Sequence, residues 1–363
     1  MLHVIERCRG GVETYVADVL RRQRASGLYG AIELAGDPAY VTPELAGLAD
    51  RALTYRSGRK PHDILRAALE LRSIVAGAAP DLVHLHSSYP GVYGRMFASD
   101  RSTAPAIVYC PHGWSFEMDV APLKRRAFRA AERRLIHKTD MLIAVSRHEY
   151  RGGLMIGAPD AGHIAIPHGV APSKPGPAPY AFDPNCLNFL FVGRFGRQKG
   201  LDLLLAAFAQ TCRKDIRLHV LGGPDDGLNA QPNTGDPRIL VHGWIEHEKI
   251  DAWYAAADAL IVPSRWEGFG LVAAEAMRNR LAVLASIRGA LPEVLGYGAA
   301  GRLFDPEDAM AVAQLIDGLD RETLQAIGQA GHARYRALYG AERAADALDV
   351  AYERALVRRR ARR

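Results

Sequence analysis

Two successive runs of alternating strand-like and helix-like segments constrain the fold of this 363-residue chain most strongly. In the first run, short apolar segments occupy residues 2–5, 31–34, 81–86, 106–110, 141–146 and 164–167. The segments between them show helical spacing: Val16, Val19 and Leu20 share one face of a predicted helix that ends at Gly27. Buried β-branched strands that alternate with helices predict a parallel, doubly wound sheet.

A proline-rich break separates the two runs. Residues 171–185 contain five prolines in fifteen positions, which excludes a helix or a central strand there. The alternation then restarts, with apolar segments at residues 188–193, 216–223, 239–243, 259–264 and 281–286. We therefore predict an α/β protein with two Rossmann-like domains, whose sheets face each other across a cleft that holds the ligands.

The predicted boundaries follow from these breaks. They give an N-terminal domain at 1–172, a linker at 173–185 and a C-terminal domain at 186–340. The remainder, 341–363, is a helix with an arginine-rich tail that is expected to pack back on the N-terminal domain.

Composition excludes several classes of protein. No apolar run reaches the ~18 residues of a membrane span. The first residues, MLHVIERCRGG, enter a strand-like segment directly, so no secretion signal is expected. Cys8, Cys110, Cys186 and Cys212 are scattered without C-x-x-C spacing, which favours a reducing cytosol over a zinc site or disulfides.

Two glycine-containing loops follow predicted strands. In CRGGVET, residues 8–14, Gly10 and Gly11 would let the backbone approach an anion at a helix N-terminus; an ordinary strand-to-helix turn is the alternative. The pattern is not G-x-G-x-x-G, so a nicotinamide dinucleotide site is not indicated. In VGRFGRQKG, residues 192–200, Arg194 and Lys199 suit a diphosphate, and a solvated basic turn is the alternative.

The stretch SRWEGFGLVAAEA, residues 264–276, is more specific. A strand ends before it, Gly268-Phe269-Gly270 forms a tight turn, and a short helix begins at Gly270. The first amides of that helix suit a phosphate or a sugar hydroxyl. Glu267 and Glu275 would each accept hydrogen bonds from one sugar of a nucleotide sugar. The alternative is a capping glutamate followed by a surface glutamate.

Several histidines lie at or near predicted strand ends. His112, in YCPHGWSF, would contact a donor sugar or an acceptor hydroxyl, or be a strand-end histidine satisfied by the backbone. His84 and His86 share one strand, and we expect them on opposite faces, one in the core and one reaching the cleft. His168, near the proline-rich segment, is expected to be structural.

A basic helix is predicted over residues 122–138, with seven Lys or Arg and Glu132 as the one opposing charge. It would bind an anionic membrane surface, aided by the tail from Arg358 to Arg363. The alternative is an amphipathic helix packed on its sheet through residues such as Phe128 and Leu135, with a solvated basic face. No aromatic-interleaved basic surface or other recognition motif indicates nucleic acid.

These motifs together resemble glycosyltransferase family 4. The resemblance is carried, in chain order, by GGVE, PHGW, VGRFGRQKG, LGGP, VHGWI, AADALIVPSRWEGFGLVAAEAM, ALPEV and GRLFDPED. It covers nearly the whole chain, and it implies the GT-B fold and retention of anomeric configuration. One departure is His168-Gly169-Val170-Ala171, where the family has Asn-Gly-x-Asp.

The resemblance also implies roles for individual residues. The catalytic group would be His112 at the reacting centre, Glu267 on the transferred sugar, and Arg194 and Lys199 on the donor diphosphate. Donor-binding residues would be Gly10, Gly11, Gly193, Gly222, Trp244, Ile245, Phe269, Gly270, Leu271, Val272 and Glu275. Among these, Glu275 would bind the ribose, and Gly222 and the backbone of Trp244 and Ile245 would lie by the base. No metal and no cofactor are expected.

The activity that follows is transfer of a hexose, of mannose or glucose type, from a GDP- or UDP-sugar. The acceptor would be a membrane-associated glycan or lipid-linked oligosaccharide in cell-surface or exopolysaccharide synthesis. The enzyme would be cytoplasmic and peripheral at the inner face of the cell membrane. Two alternatives remain open: a sugar-nucleotide epimerase of the same fold, and an inactive partner subunit that binds nucleotide sugar.

Overall fold

The computed structural model describes residues 1–6, 10–96, 98, 104–174, 176–177, 180–224 and 234–361. The chain divides into two compact units, which we call unit 1 (residues 1–169 and 342–363) and unit 2 (residues 170–341). Cys110, Cys186 and Cys212 are free thiols, whereas Cys8 and the last two arginines lie outside the described residues. No helix of the described ranges is long and apolar enough to cross a membrane.

Unit 1 contains a seven-stranded sheet whose paired strands are all parallel. In chain order its strands are β1 (Leu2–Val4), β2 (Glu33–Gly36), β3 (Arg51–Thr54), β4 (Leu82–His86), β5 (Ala106–Cys110), β6 (Met141–Ala144) and β7 (His163–Ala165). Their order in the sheet is β3-β2-β1-β4-β5-β6-β7, so β1 and β4 are neighbours at the point where the order reverses. Ligands of such sheets bind at this point, beyond the carboxyl ends of the strands.

The helices between these strands are α1 (Gly11–Ser26), α2 (Pro43–Ala46), α3 (Pro61–Ala78), α4 (Ser88–Met96), α5 (Pro122–Leu135) and α6 (Arg147–Met155). The predicted first helix is confirmed: Val16, Val19 and Leu20 of α1 are buried, and Gly27 ends it with a φ of +65°. Glycine adopts this left-handed conformation without the steric cost that a Cβ atom imposes.

Unit 2 repeats the architecture with a six-stranded parallel sheet in the order β10-β9-β8-β11-β12-β13. Its strands are β8 (Leu187–Val192), β9 (Ile216–Leu221), β10 (Ile239–Gly243), β11 (Ala259–Val262), β12 (Ala282–Ser286) and β13 (Arg302–Phe304). Its helices are α7 (Leu201–Phe208), α8 (His247–Ala256), α9 (Leu271–Arg278), α10 (Leu291–Val294), α11 (Ala309–Asp317) and α12 (Arg321–Leu338). The prediction of two Rossmann-like domains is confirmed.

Two strands have no counterpart among the predicted apolar runs. They are β3 and β13, and each lies at an edge of its sheet. In β3 the side chains are exposed or half-buried, so the strand lacks the apolar pattern of its buried neighbours. Its pairing with β2 depends on backbone hydrogen bonds, which carry no sequence signature.

The last helix, α13 (Ala341–Ala361), groups with unit 1 from Glu342 onward. Its buried Arg359 pairs with buried Asp140 at 2.6 Å. The proline-rich segment is part of unit 2 and contacts the rest of it: Ser173 Oγ donates to Asn279 at 2.5 Å, and the backbone N of Lys174 donates to Asp251 at 3.0 Å. The domain divisions of the structure thus fall within a few residues of the proline-rich segment and the start of α13.

Candidate functional site

Two loops at the carboxyl ends of neighbouring strands in unit 2 are joined to each other. One follows β8 and carries Arg194 and Lys199; the other follows β11 and carries Glu267. The backbone N of Arg265 donates to Gln198 O at 2.8 Å, and Gln198 Nε2 donates to Trp266 O at 3.1 Å. These bonds fix the two loops against each other.

Lys199 and Glu267 form the centre of this arrangement. Lys199 Nζ lies 2.5 Å from Glu267 Oε1, and Ser264 Oγ donates to the same oxygen at 2.9 Å. Glu267 is 7% exposed, and the Lys199 side chain is 19% exposed. A carboxylate this deeply buried needs a charged partner, and the loop after β8 supplies it.

The backbone of Glu267 is held as firmly as its side chain. The backbone N of Ala290 donates to Glu267 O at 3.1 Å. Gly289 has a φ of +60°, and a Cβ atom there would lie 2.3 Å from Glu267 O. Only glycine allows this close approach. Gly289 and the ALPEV motif that follows it therefore support the site by holding the backbone of Glu267.

Arg194 lies on a loop that packs against the turn after β9. The backbone N of Gly193 donates to Leu221 O at 3.0 Å, and the N of Phe195 donates to Gly223 O at 2.8 Å. A Cβ atom at Gly222 would lie 1.8 Å from Gly193 O, so no other residue fits there. Arg194 itself is half-buried beside this crossing.

The residues predicted near the base lie next to this crossing. The backbone N of Gly222 donates to Gly243 O at 2.7 Å, which places the segment after β10 against the segment after β9. Trp244 follows at once with 57% of its surface exposed, and Ile245 is half-buried. The structure therefore brings Gly193, Gly222 and Trp244 together at the carboxyl ends of β8, β9 and β10.

Helix α9 begins after a tight turn, as predicted. Gly270 precedes it with a φ of +87°, and no side chain caps it. Phe269 is buried against Tyr339, with 5.4 Å between the ring centroids. Leu271 and Val272 form the first turn and are half-buried. The first backbone amides of a helix have no acceptor within the helix, so they point outward at the N-terminus of α9.

Glu275 lies inside unit 2. It is 4% exposed and accepts a hydrogen bond from Tyr254 Oη at 3.1 Å. Burial raises the pKa of its carboxyl group, while the Tyr254 hydroxyl acts in the opposite direction. The alternative of one capping and one surface glutamate is wrong, because both acids are buried and neither caps α9.

In unit 1, Gly10 and Gly11 lie at the start of α1. Gly10 has a φ of +85°, and no atom of the residues that the structure describes lies within 4 Å of the position that a Cβ would take there. Gly11 is exposed as the first residue of the helix.

His112 follows β5 with a φ of +54°, which is uncommon for a residue other than glycine. Its Nε2 lies 3.1 Å from His86 Nδ1, and its Nδ1 lies 3.3 Å from His168 Nε2. Burial and the neighbouring His168 lower the pKa of His112. The imidazole is therefore neutral at pH 7.

One expectation about the histidines is wrong. His84 and His86 lie on the same face of β4, with 3.9 Å between ring centroids, because side chains two positions apart on a strand point the same way. His168 is buried and its ring contacts His112, so its predicted structural role stays a prediction. Because side chains on a strand alternate between its two faces, the sequence HLH at residues 84–86 was sufficient to predict that His84 and His86 share a face.

Glu149 was not found from the sequence. It is fully buried, and its two carboxylate oxygens accept hydrogen bonds from the backbone N of Gly113 and of Val145. Burial raises the pKa of its carboxyl to about 8, while both backbone bonds act to lower it. By holding Gly113, Glu149 orients the loop that carries His112.

The basic helix packs against the core of unit 1 through Phe128, as the amphipathic alternative predicts, but one end of its apolar stripe is exposed. In α5, Leu123 is 79% exposed and Phe128 is half-buried. Glu132, the expected opposing charge, is buried, where it accepts from Arg95 at 2.7 Å and from Tyr109 at 2.9 Å. The exposed face of α5 therefore carries basic residues and no acidic one.

Family models match both units. Residues 10–169 match the model described as "Glycosyl transferase 4-like domain", and residues 187–320 match "Glycosyl transferases group 1". D-inositol 3-phosphate glycosyltransferase 1 of Catenulispora acidiphila is 30% identical over 96% of this chain and 91% of its own length. The chain belongs to the group 1 glycosyltransferases. The predicted family is confirmed.

Other group 1 relatives and solved structures agree. An uncharacterised 41.2 kDa protein in the cps region of Klebsiella pneumoniae is 28% identical over 87% of this chain and 89% of its own. Sucrose-phosphate synthase of Thermosynechococcus elongatus superposes with a TM-score of 0.79 at 24% identity, covering 97% of this chain and 98% of its own. Anabaena HepE in complex with UDP-glucose gives 0.74 at 18% identity, covering 96% and 99%. The fold of this glycosyltransferase is GT-B.

Proposed function

We propose that this glycosyltransferase moves a hexose from a GDP- or UDP-sugar to a membrane-associated glycan or lipid-linked acceptor, with retention of configuration. The observation that carries the proposal is the cluster of Lys199, Glu267 and Ser264, which adjoins the Arg194 loop and the amide end of α9. A cation, a buried acid and free helix amides match the diphosphate, hydroxyl and phosphate groups of a nucleotide sugar. The HepE complex with UDP-glucose and the cps-region relative support this substrate class and a role in cell-surface polysaccharide synthesis.

In the proposed reaction, the bond between the anomeric carbon and the diphosphate oxygen breaks, and the acceptor oxygen bonds to that carbon on the same face. The acceptor proton passes to the departing diphosphate oxygen. Arg194, Lys199 and the amides of Gly270, Leu271 and Val272 stabilise the negative charge that develops on the leaving group. These donors neutralise the diphosphate directly, so the proposed chemistry needs no metal ion.

The remaining contacts orient the donor. Glu267 accepts hydrogen bonds from hydroxyls of the transferred sugar, and the amides of Phe269 and Gly270 assist it. Glu275 binds the ribose, and Gly222 with the Trp244 and Ile245 backbone borders the base. From unit 1, Gly10 and Gly11 meet the donor, and His112 contacts the transferred sugar.

We further propose that α5 binds an anionic membrane surface. The charged residues on its exposed face are all basic, and exposed Leu123 offers an apolar side chain that lipid would cover. This would bring the enzyme to a lipid-linked acceptor at the inner face of the cell membrane.

A donor panel tests the main proposal. Purified enzyme is incubated with UDP- and GDP-hexoses, with and without a total membrane lipid extract, and released nucleoside diphosphate and glycosylated lipid are measured with and without EDTA. We expect release that depends on lipid and persists in EDTA. Isomerised donor without acceptor would identify an epimerase, and donor binding without release would identify an inactive partner subunit.

A further inference from the structure

Five side chains of unit 1 form a continuous chain of hydrogen bonds, which we call the histidine chain: Gln23, His3, His86, His112 and His168. Gln23 Oε1 lies 2.8 Å from His3 Nε2, and His3 Nδ1 lies 3.0 Å from His86 Nε2. His86 Nδ1 then lies 3.1 Å from His112 Nε2, and His112 Nδ1 lies 3.3 Å from His168 Nε2. Both ring nitrogens of His112 are therefore engaged by other histidines.

The histidine chain begins at the side-chain amide of Gln23, whose two ends face different partners. The amide nitrogen of Gln23 faces Tyr352 Oη at 3.5 Å, and the carbonyl oxygen faces His3 Nε2 at 2.8 Å. A carbonyl oxygen only accepts hydrogen bonds. In this orientation of the amide, His3 Nε2 carries the proton.

The remaining tautomers follow from one proton per neutral imidazole. Burial lowers the pKa of His3 to about 4, that of His168 to about 3 and that of His86 well below its usual value, so all are neutral at pH 7. With its proton on Nε2, His3 accepts at Nδ1, and His86 must donate from Nε2. By the same step His112 donates from Nε2 to His86 Nδ1, and His168 donates from Nε2 to His112 Nδ1.

We propose that Gln23 and His3 are positioning residues that hold His112 as the tautomer protonated at Nε2, acting through His86. Each acts through the ring nitrogen of its neighbour: Gln23 through His3, and His3 through His86. As a result, His112 Nδ1 carries a lone pair, which accepts the hydrogen bond from His168 Nε2 in this structure. A ligand that took the place of His168 would have to donate a hydrogen bond to His112 Nδ1, as a hydroxyl group can.

This role deepens the proposed function in one respect, because it depends on His112 contacting the transferred sugar. A sugar hydroxyl would then donate to His112 Nδ1, and its oxygen would remain free to accept from another group. A fluorine in place of that hydroxyl cannot donate, so the histidine chain would select against the fluorinated donor.

A metal ion bound nearby would place the protons of His86 and His112 on the opposite ring nitrogens. One ring nitrogen from each of His3, His84 and His86 lies within 4.8 Å of the others, and His84 Nε2 is buried without a hydrogen-bond partner in the described structure. A metal bound at His86 Nε2 would move that proton to Nδ1, which would then donate to His112 Nε2. His112 would become protonated at Nδ1, so its tautomer distinguishes the two arrangements.

The test is ¹⁵N NMR of the full-length protein labelled at histidine, after chelator treatment, with resonances assigned by single histidine substitutions. Imidazole ¹⁵N shifts separate N–H from bare nitrogen, and we expect His112 protonated at Nε2. Gln23→Met, which is close in size but has no acceptor, should give a mixture of tautomers. Gln23→Glu, which keeps acceptor oxygens, should restore the wild-type pattern, and exposed Gln329→Met should change nothing.

A His112 protonated at Nδ1 in the wild-type protein would overturn the proposal, even if no variant folded. So would a folded Gln23→Met protein with an unchanged His112 tautomer. Turnover supplies the functional arm: Gln23→Met should lower kcat/KM about tenfold at most, the size of one net hydrogen bond, and Gln23→Glu should recover it. An altered tautomer with unchanged turnover would leave the tautomer assignment standing and remove His112 from the proposed sugar contact.

Discussion

Lys199 and Glu267 form a 2.5 Å ion pair across two loops, although 68 positions separate them in sequence. In the proposed donor complex the ammonium of Lys199 meets the diphosphate while the carboxylate of Glu267 meets the sugar. In that complex, the two members of the ion pair would contact the two groups that separate when the sugar–diphosphate bond breaks. It also means that substitution of either residue leaves the other charge partly buried and without its partner.

Replacement of Glu267 should abolish transfer while sparing much of the nucleotide affinity. Glu267→Gln removes the charge but keeps an oxygen that Ser264 can reach, and we expect turnover to fall by about 100-fold or more. Glu307→Gln, at a 67% exposed acid, is the matched control. Turnover of Glu267→Gln equal to that of the control would refute the assignment.

Replacement of the cations should weaken binding of the free nucleoside diphosphate. We expect Arg194→Met and Lys199→Met each to raise Kd by about 10- to 100-fold, since each removes a hydrogen bond between charged groups. Calorimetry with UDP and GDP measures this. Lys249→Met, an exposed lysine in an ion pair with Glu246, should bind as the wild type does. An unchanged Kd in either site variant would exclude that cation from the diphosphate site.

Nucleotide affinity should depend on the ionisation of Glu275. Because burial raises the pKa of this carboxyl, it takes up a proton at a higher pH than an exposed glutamate, and affinity should fall as the pH is lowered through that range. The Tyr254 hydroxyl acts to lower this pKa. Tyr254→Phe should therefore move the midpoint of the Kd-versus-pH curve upward, and Glu275→Gln should flatten it. A midpoint that moved downward would contradict the assigned contact.

Acid should destabilise unit 1 in part through His163. Its ring stacks on Tyr150 with 3.8 Å between centroids, neither ring nitrogen has a hydrogen-bond partner in the described structure, and burial lowers its pKa to about 4. The unfolded chain, with a histidine pKa of about 6.5, binds a proton that the folded state excludes. The free energy of unfolding contributed by this residue is fully present above pH about 6.5 and is lost as the pH falls toward 4.

Urea denaturation between pH 4.5 and 7 checks this sign. His163→Leu should unfold with up to about one proton less uptake than the wild type, so its stability should depend less on pH. Exposed His62, replaced by leucine, is the control. An equal slope in the wild-type protein and in His163→Leu would contradict the assignment.

Vesicle flotation tests the basic face of α5. We expect the wild-type protein to float with anionic lipid at low salt, and less as salt screens the attraction. The triple variant Arg125→Gln, Arg126→Gln, Arg129→Gln should remain at the bottom of the gradient. Equal removal of charge at three exposed arginines outside α5, with Arg336→Gln, Arg343→Gln and Arg354→Gln, is the matched control. Equal flotation of both variants would exclude α5 as the lipid-binding surface.

The buried strands and the tight turns were predictable from sequence because their signals are local. Apolar runs identified β1, β4, β5 and β8, while the edge strands β3 and β13 escaped because exposed edges need no apolar pattern. In the candidate site, Arg194, Lys199, Glu267 and Glu275 were predicted from their spacing. The contact of Lys199 with Glu267 was not, since no local rule joins residues on different strands.

The sequence by itself determined the fold class, the family and the positions of the loops that form the candidate site, because periodicity, motifs and glycine positions act over a few residues. Only the tertiary structure decided that His3, His86, His112 and His168 are linked by hydrogen bonds between their rings. The same is true of the burial of Glu132 and Glu149. Those facts depend on which strands become neighbours and on what burial does to charge. A carboxylate or imidazole acquires its partner and its ionisation from residues far away in the chain.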